Sequence, residues 1–216
     1  MRIGILGTGD MAEALAGQWA RAGHELFVGG RDEKKAAALA ERLGTGARSG
    51  SLREAAAFGT AVLLAVPYPA MEEVLTAAGG PDGALAGRTL VDCTNPLDLT
   101  TGLLLAHGKP SAAAHAAEVA AGAHVVKAFN LSTPAVWSMT PPVFADGPLA
   151  VPLCGDDAGA LETVRTLVRD LGCVPLDGGG LERAGAQEAA LSFLAGFWFR
   201  GLEPRTALPP VTVMGG

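Results

Sequence analysis

The sequence predicts an α/β fold: a Rossmann-type doubly wound, mostly parallel sheet with a small C-terminal α/β extension. Three observations carry this. Short apolar segments alternate with longer segments of helical period along most of the chain. One of the short segments, Thr60–Val66 (TAVLLAV), is apolar without alternation, as a strand covered on both faces is. The first strand and helix are joined by a glycine turn, Gly7-Thr8-Gly9, that leads into Asp10 and Met11.

The first strand is Arg2 to Leu6. In the turn that follows, Gly7 permits a tight reversal and Gly9 removes the side chain that would face the phosphates of a dinucleotide. Ala12, in the third slot, lets helix pack on strand. A helix starting near Asp10 points unsatisfied N–H groups and its positive dipole end at such an anion. With 30 glycines in the chain, a chance match is a real alternative, and the strand before and helix after the turn argue against it.

The second strand ends Phe27-Val28-Gly29-Gly30-Arg31. An NAD site usually places a carboxylate there for the ribose 2′-hydroxyl. Here Arg31 offers a planar fork suited to a 2′-phosphate, and Lys35, four residues on, adds a second charge, so the expected cofactor is NADP. Asp32 reads as a helix N-cap, with ribose acceptor as the alternative.

A helix is expected over Asp32–Leu43, ending at Gly44, and Ser51-Leu52-Arg53-Glu54 is a capping box that opens another ending near Gly59. The apolar strand stops at Pro67-Tyr68-Pro69, before a helix to Ala78. Arg88–Cys93 is the next strand, ending at Thr94-Asn95-Pro96, and Leu97–Pro110 has no clear period. Ser111 caps an alanine-rich helix that ends at Gly122, and Ala123–Phe129 is a strand. Pro141, Pro142 and Pro148 mark a boundary, which divides the chain into an NADP-binding Rossmann domain, 1–140, and a small substrate or dimerisation domain, 141–216. In the latter, Leu149–Cys154 and Cys173–Leu176 read as strands, Asp157–Leu171 and Glu182–Leu202 as helices, and Gly178–Gly180 as a flexible turn. Phe193, Phe197, Trp198 and Phe199 lie on the last helix at spacings that favour core or dimer packing. The tail from Glu203 is expected to be loosely ordered or to lie on a partner.

A net charge of −6 with no basic cluster argues against nucleic-acid and anionic-membrane partners. No apolar run reaches the roughly 18 residues of a membrane span, and no basic flank or cleavage signal precedes the first strand. Cys93, Cys154 and Cys173 are dispersed, which points to reduced thiols in the cytoplasm. His24, His107, His115 and His124 have no ligand spacing, and Asp156-Asp157 reads as a cap, so no metal is expected. His107 and His115 flank the long loop, where surface positions are favoured over entry into the site.

Ligands of open α/β sheets bind at the carboxyl ends of the strands. Those ends are Gly7–Met11, Gly29–Arg31, Val66–Tyr68, Thr94–Pro96 and Phe129–Leu131. Val66-Pro67 would present backbone to pyrophosphate and ribose, and the amides of Asn95 and Asn130 could bond the nicotinamide carboxamide or a substrate carbonyl. Ala128 falls on the cofactor side, and Phe129, Asn130 and Leu131 on the substrate side. No serine, cysteine or histidine constellation is present, so no catalytic side chain is expected.

The strings IGILGTGDMAEALAGQWARAGHELFVGGRDEKK, VVKAFNLSTPAVW and VPLCGDDAGALETVRTLVRDLGCVPLDGGGLERA, in this order over nearly the whole chain, resemble the NADPH-dependent reductases of the deazaflavin coenzyme F420. The resemblance implies a Rossmann domain with a small C-terminal domain, a homodimer, and a deazaflavin stacked on nicotinamide between the domains. By position it implies that Thr8, Gly9, Asp10 and Met11 hold pyrophosphate and that Gly30, Arg31 and Lys35 face the 2′-phosphate. Gly30 stands where the family usually has serine, which leaves phosphate recognition to Arg31 and Lys35. Asp10 stands where a neutral residue is common, a conflict resolved if it turns away as an N-cap. The expected activity is direct hydride transfer between NADP(H) and coenzyme F420. The alternatives are NADPH-dependent reduction of flavin or a small imine or carbonyl compound, and a non-enzymatic NADP(H)-sensing protein.

Overall fold

A computed structural model of the chain describes residues 1–44, 46–98, 100–105, 108–144 and 147–203. His107 and the tail after Glu203 lie outside the described residues. The elements in chain order are β1 (Arg2–Leu6), α1 (Asp10–Arg21), β2 (Glu25–Gly29), α2 (Glu33–Leu43), β3 (Ala47–Gly50), α3 (Leu52–Phe58) and β4 (Ala61–Leu64). A 3-10 turn, Tyr68–Ala70, leads into α4 (Met71–Ala77), then β5 (Thr89–Asp92), α5 (Ala112–Val119), β6 (His124–Lys127) and α6 (Pro134–Trp137). After the two-residue strands β7 (Val143–Phe144) and β8 (Gly147–Pro148) come β9 (Ala150–Gly155), α7 (Ala158–Asp170) and β10 (Val174–Asp177). A second 3-10 turn, Leu181–Arg183, precedes α8 (Ala184–Trp198).

Strands β7 and β8 pair with each other as a separate antiparallel hairpin, and the other eight form one sheet in the order β10-β9-β6-β5-β4-β1-β2-β3. All its pairings are parallel except that of β6 with β9. From β1 the chain winds outward through β2 and β3, then returns to lay β4 on the other side of β1. The strand order therefore reverses between β1 and β4, the point at which an open α/β sheet binds its ligand.

Both faces are covered, as the unbroken apolar run of β4 requires. On one face Ile3, Ile5 and Leu63 pack with Leu15 and Trp19 of α1, Leu39 of α2 and Val164 and Leu167 of α7. On the other Val62, Leu64 and Leu90 pack with Leu52 of α3, Leu75 of α4 and Ala116 of α5. A side chain of valine, leucine or phenylalanine size contributes roughly 1.5–3 kcal/mol when fully buried, so these two layers dominate the stability. The helix starts follow local chemistry. Asp32, Ser51, Ser111 and Asp157 each accept a backbone N–H at the head of α2, α3, α5 and α7, and Ser51 and Glu54 complete the reciprocal capping box.

The structure adds β3, which the pattern ARSG does not announce. It is an edge strand paired with β2, with only the small Ala47 packed on the core and Arg48 lying over the ring of Phe58 at 4.4 Å. The last helix begins later than expected, because Leu181–Arg183 wind as a 3-10 turn, and it ends at Trp198. Residues after Thr140 extend the same sheet, since β9 pairs with β6 and β10 with β9.

Candidate functional site

The site begins at the carboxyl end of β1. Gly7 has φ +131°, its N–H donates to Gly29 O at 3.0 Å, and a Cβ on it would lie 2.2 Å from Ala65 O. Only glycine fits that turn. A Cβ on Gly9 would meet nothing within 4 Å. Gly9 is the N-cap of α1 and contributes no side-chain bond there, unlike the caps of α2, α3, α5 and α7. The first N–H groups of α1 thus stand beside open space, with the helix dipole behind them. Asp10 does not serve as the N-cap. Extended Gly9 takes that position, and Asp10 is the exposed first residue of the helix. Met11 is half-buried against the core.

Gly30 is buried, and a Cβ there would lie 2.9 Å from Thr8 Cγ2. A serine at this position would displace the Thr8 methyl, so Gly30 and Thr8 close the gap between the two loops as a pair. Asp32 Oδ1 accepts from Lys34 N at 3.0 Å and Lys35 N at 3.2 Å, which commits this carboxylate to the cap of α2. Arg31 and Lys35 are exposed beside it. The Arg31 guanidinium donates from Nη1 to Glu73 Oε2 at 2.8 Å, in the first turn of α4.

At the end of β4, Val66 is half-buried and Pro67 is exposed. Tyr68 follows, its hydroxyl 3.0 Å from His115 Nδ1 on α5. Burial, with Glu188 and Glu72 nearby, pushes the Tyr68 phenol up. Beyond β5 and β6, Asn95 Nδ2 donates to Asn130 O at 2.9 Å, and Asn130 Nδ2 donates back to Asn95 Oδ1 at 3.0 Å. Gln187 Nε2 of α8 donates to Asn130 Oδ1 at 2.7 Å. The Asn130 amide is therefore buried and engaged at both ends, tying three elements together. Asn95 is half-buried, and Thr94 Oγ1 is a buried polar atom without a partner among the described residues.

Ala128 is fully buried, and Phe129 takes φ +61° directly after it. Its ring meets Trp19 and Trp137 edge-on, with centroids 5.9 and 5.4 Å apart, and its carbonyl accepts from Trp137 Nε1 at 3.1 Å. These contacts hold a left-handed conformation that a bulky side chain resists. Phe129 and Leu131 open onto a cavity of about 580 Å³, walled by Trp137, Val151, Leu194 and Trp198. No lysine, arginine or histidine lines it among the described residues.

A buried charge cluster that no local sequence motif marks lies at the same strand ends. Lys127 Nζ lies 2.9 Å from Asp92 Oδ2 and 2.6 Å from Glu188 Oε1, with all three side chains buried. Glu188 also accepts the single N–H of Ala112, at the head of α5, on both carboxylate oxygens, 3.1 Å to Oε1 and 3.0 Å to Oε2. Burial alone would lower the Lys127 ammonium, but the Asp92 and Glu188 carboxylates outweigh it and hold the group above the usual lysine range. One signal was present in the sequence. A lysine and an aspartate sit near the ends of two strands expected to be covered on both faces, where a charge requires a partner. The register makes them direct neighbours, Asp92 opposite Lys127.

These residues fit a dinucleotide: an uncapped helix head beside open space, a glycine turn pressed on the neighbouring strand, and cations after β2. Comparison with known proteins agrees. Residues 2–96 match the family described as NADP oxidoreductase, coenzyme F420-dependent. The chain is 33% identical over 200 residues to the F420-dependent NADP reductase of Methanothermobacter marburgensis, an alignment covering 85% of this chain and 86% of that protein. It is also 33% identical over 188 residues to the metalloreductase STEAP3 of Rattus norvegicus, where 87% of this chain spans only 36% of the relative. A solved structure from Arthrobacter sp. FB24, described as an F420-dependent NADP reductase, superposes with a TM-score of 0.81 at 29% identity, covering 93% of this chain and 95% of that one.

Proposed function

The chain belongs to the family of F420-dependent NADP reductases, and from that premise we propose that it transfers hydride directly between NADP(H) and the deazaflavin coenzyme F420. It is an NADP-dependent oxidoreductase; the acceptor is the part proposed here. The observation that carries the cofactor half is the end of β2, where Asp32 is spent on the cap of α2 and two exposed cations, Lys35 and the Glu73-paired Arg31, stand where a 2′-phosphate would lie. Gly7, Thr8, Gly9, Asp10 and Met11 would border the pyrophosphate, with Gly30 behind the 2′-phosphate and Val66, Pro67, Asn95 and Ala128 along the rest of the cofactor.

When bound, NADPH supplies a hydride from nicotinamide C4 to a ring carbon of the acceptor. That transfer needs no nucleophile or metal from the chain, which contributes position and exclusion of water. Phe129, Asn130 and Leu131 would form the acceptor side, Phe129 and Leu131 as apolar wall and Asn130 as the brace that registers α8. The apolar cavity supports a planar acceptor. Its lack of cationic lining favours a second reading, in which a neutral flavin ring or a small imine or carbonyl compound takes the hydride. We also propose that residues 141–216 form the substrate and dimerisation part of a homodimer, with α8 at the contact. Three buried unpaired thiols suit a reducing cytoplasm.

The test is loss of nicotinamide absorbance on mixing protein and NADPH with coenzyme F420, FMN or a cyclic imine in turn. Turnover with coenzyme F420 well above the others supports the first reading. Turnover confined to FMN or the imine replaces it with the second, and none with any acceptor leaves an NADP(H)-sensing protein.

A further inference from the structure

The Arg31–Glu73 ion pair crosses the mouth of the candidate cofactor site. Arg31 follows β2 and Glu73 lies in the first turn of α4, which follows β4, while β1 and its glycine turn lie between those two strands. Two strand spacings, about 10 Å, separate β2 from β4, so the joined side chains reach over the end of β1. The start of α4 is set by the 3-10 turn Tyr68–Ala70, which carries Pro69. The neighbouring carboxylates are directed elsewhere: Asp32 caps α2, and Glu72 faces His115 Nε2 at 3.5 Å. Glu73 is the carboxylate that meets the guanidinium.

We propose that Glu73 is a specificity-determining residue that occupies Arg31 in place of the 2′-phosphate, so that NADPH must displace a carboxylate which NADH leaves undisturbed. The proposal rests on the reading of Arg31 as the phosphate contact. Both side chains are more than half exposed, at 57% and 64%, so the pair is weak enough to open. A phosphate carries more charge than a carboxylate and accepts from the same fork, so it wins the exchange. Glu73 then subtracts from NADPH affinity alone and tempers the preference that Arg31 creates.

The experiment is a double-mutant cycle in the full chain, with NADPH and NADH binding followed by nicotinamide fluorescence at low ionic strength. Glu73→Gln is expected to tighten NADPH about two- to fivefold, the range an exposed pair commands, and to leave NADH unchanged. Arg31→Ala is expected to weaken NADPH roughly ten- to a hundredfold, to affect NADH far less, and to abolish the effect of Glu73→Gln. If Arg31→Ala is selective but Glu73→Gln leaves NADPH unchanged, or acts equally without Arg31, Glu73 does not compete and the proposal is overturned. Weaker NADH binding in Glu73→Gln overturns it too, by making Glu73 a ribose acceptor. Equal losses of both cofactors in Arg31→Ala overturn the underlying phosphate reading itself.

Discussion

Gly7 and Gly9 stand two residues apart and do different work. Gly7 is required by the protein, since its φ of +131° and the 2.2 Å approach to Ala65 O leave no room for a side chain. Gly9 is not required by the protein, because a Cβ there meets nothing within 4 Å; the role proposed for it is toward the pyrophosphate. Gly7→Ala is therefore expected to lower the unfolding free energy by at least about 1–3 kcal/mol, read from urea denaturation. Gly9→Ala is expected to stay within about 1 kcal/mol of wild type in the same assay, while NADPH binding weakens by an order of magnitude or more. An unchanged NADPH affinity in Gly9→Ala would place the pyrophosphate elsewhere. The turn at Gly7 is legible in the glycine spacing. The commitment of the Asn130 amide is not, because its partners lie 35 and 57 residues away.

At the scale of elements, the Lys127 cluster joins β5, β6, α5 and α8 through charge. Removing the ammonium strands two buried carboxylates, and Lys127→Met is expected to cost about 3–5 kcal/mol by denaturant titration. The sign of the pH effect follows from the raised Lys127 ammonium. Its stabilisation is complete below the ordinary lysine value of 10.5 and is lost as pH rises through the higher folded value. Wild-type melting temperature should thus fall steeply at alkaline pH, and the Lys127→Met variant should show a shallower fall. Parallel curves for the two proteins would remove the cluster from this role. Lys127 was visible as a charge in an apolar strand, but Glu188 was not, because its helix comes 61 residues later and only folding brings the two together. The edge strand β3 escaped because its four residues, ARSG, carry one small apolar side chain, Ala47, and so leave no hydrophobic period.

For the whole molecule, the sheet edges are poor docking sites. Edge strands β3 and β10 are four residues each, one carrying Arg48 and the other Pro175, which has no N–H to offer. Exposed apolar side chains are found on β10 itself, at Val174 and Leu176, and more strongly on the last helix and just beyond it, where Phe193, Phe199 and Leu202 are 66%, 64% and 51% exposed. If this surface makes the homodimer, sedimentation should give a dimer for the wild type and a monomer for Phe193→Asp combined with Phe199→Asp. A wild-type monomer at micromolar concentration would end that reading.

Taken alone, the sequence was enough for the parallel order of winding, the glycine turn, the caps at Asp32 and Ser51, and the cationic end of β2. Each is written in neighbouring residues, through hydrophobic period, hydrogen bonding to the next turn, or backbone freedom. Only the tertiary structure decided that Arg31 meets Glu73, that Phe129 is held left-handed between two tryptophans, and that Lys127 is balanced by Asp92 and Glu188. Those partners are distant in sequence, and their energies depend on burial and direction, which exist only once the layers have packed.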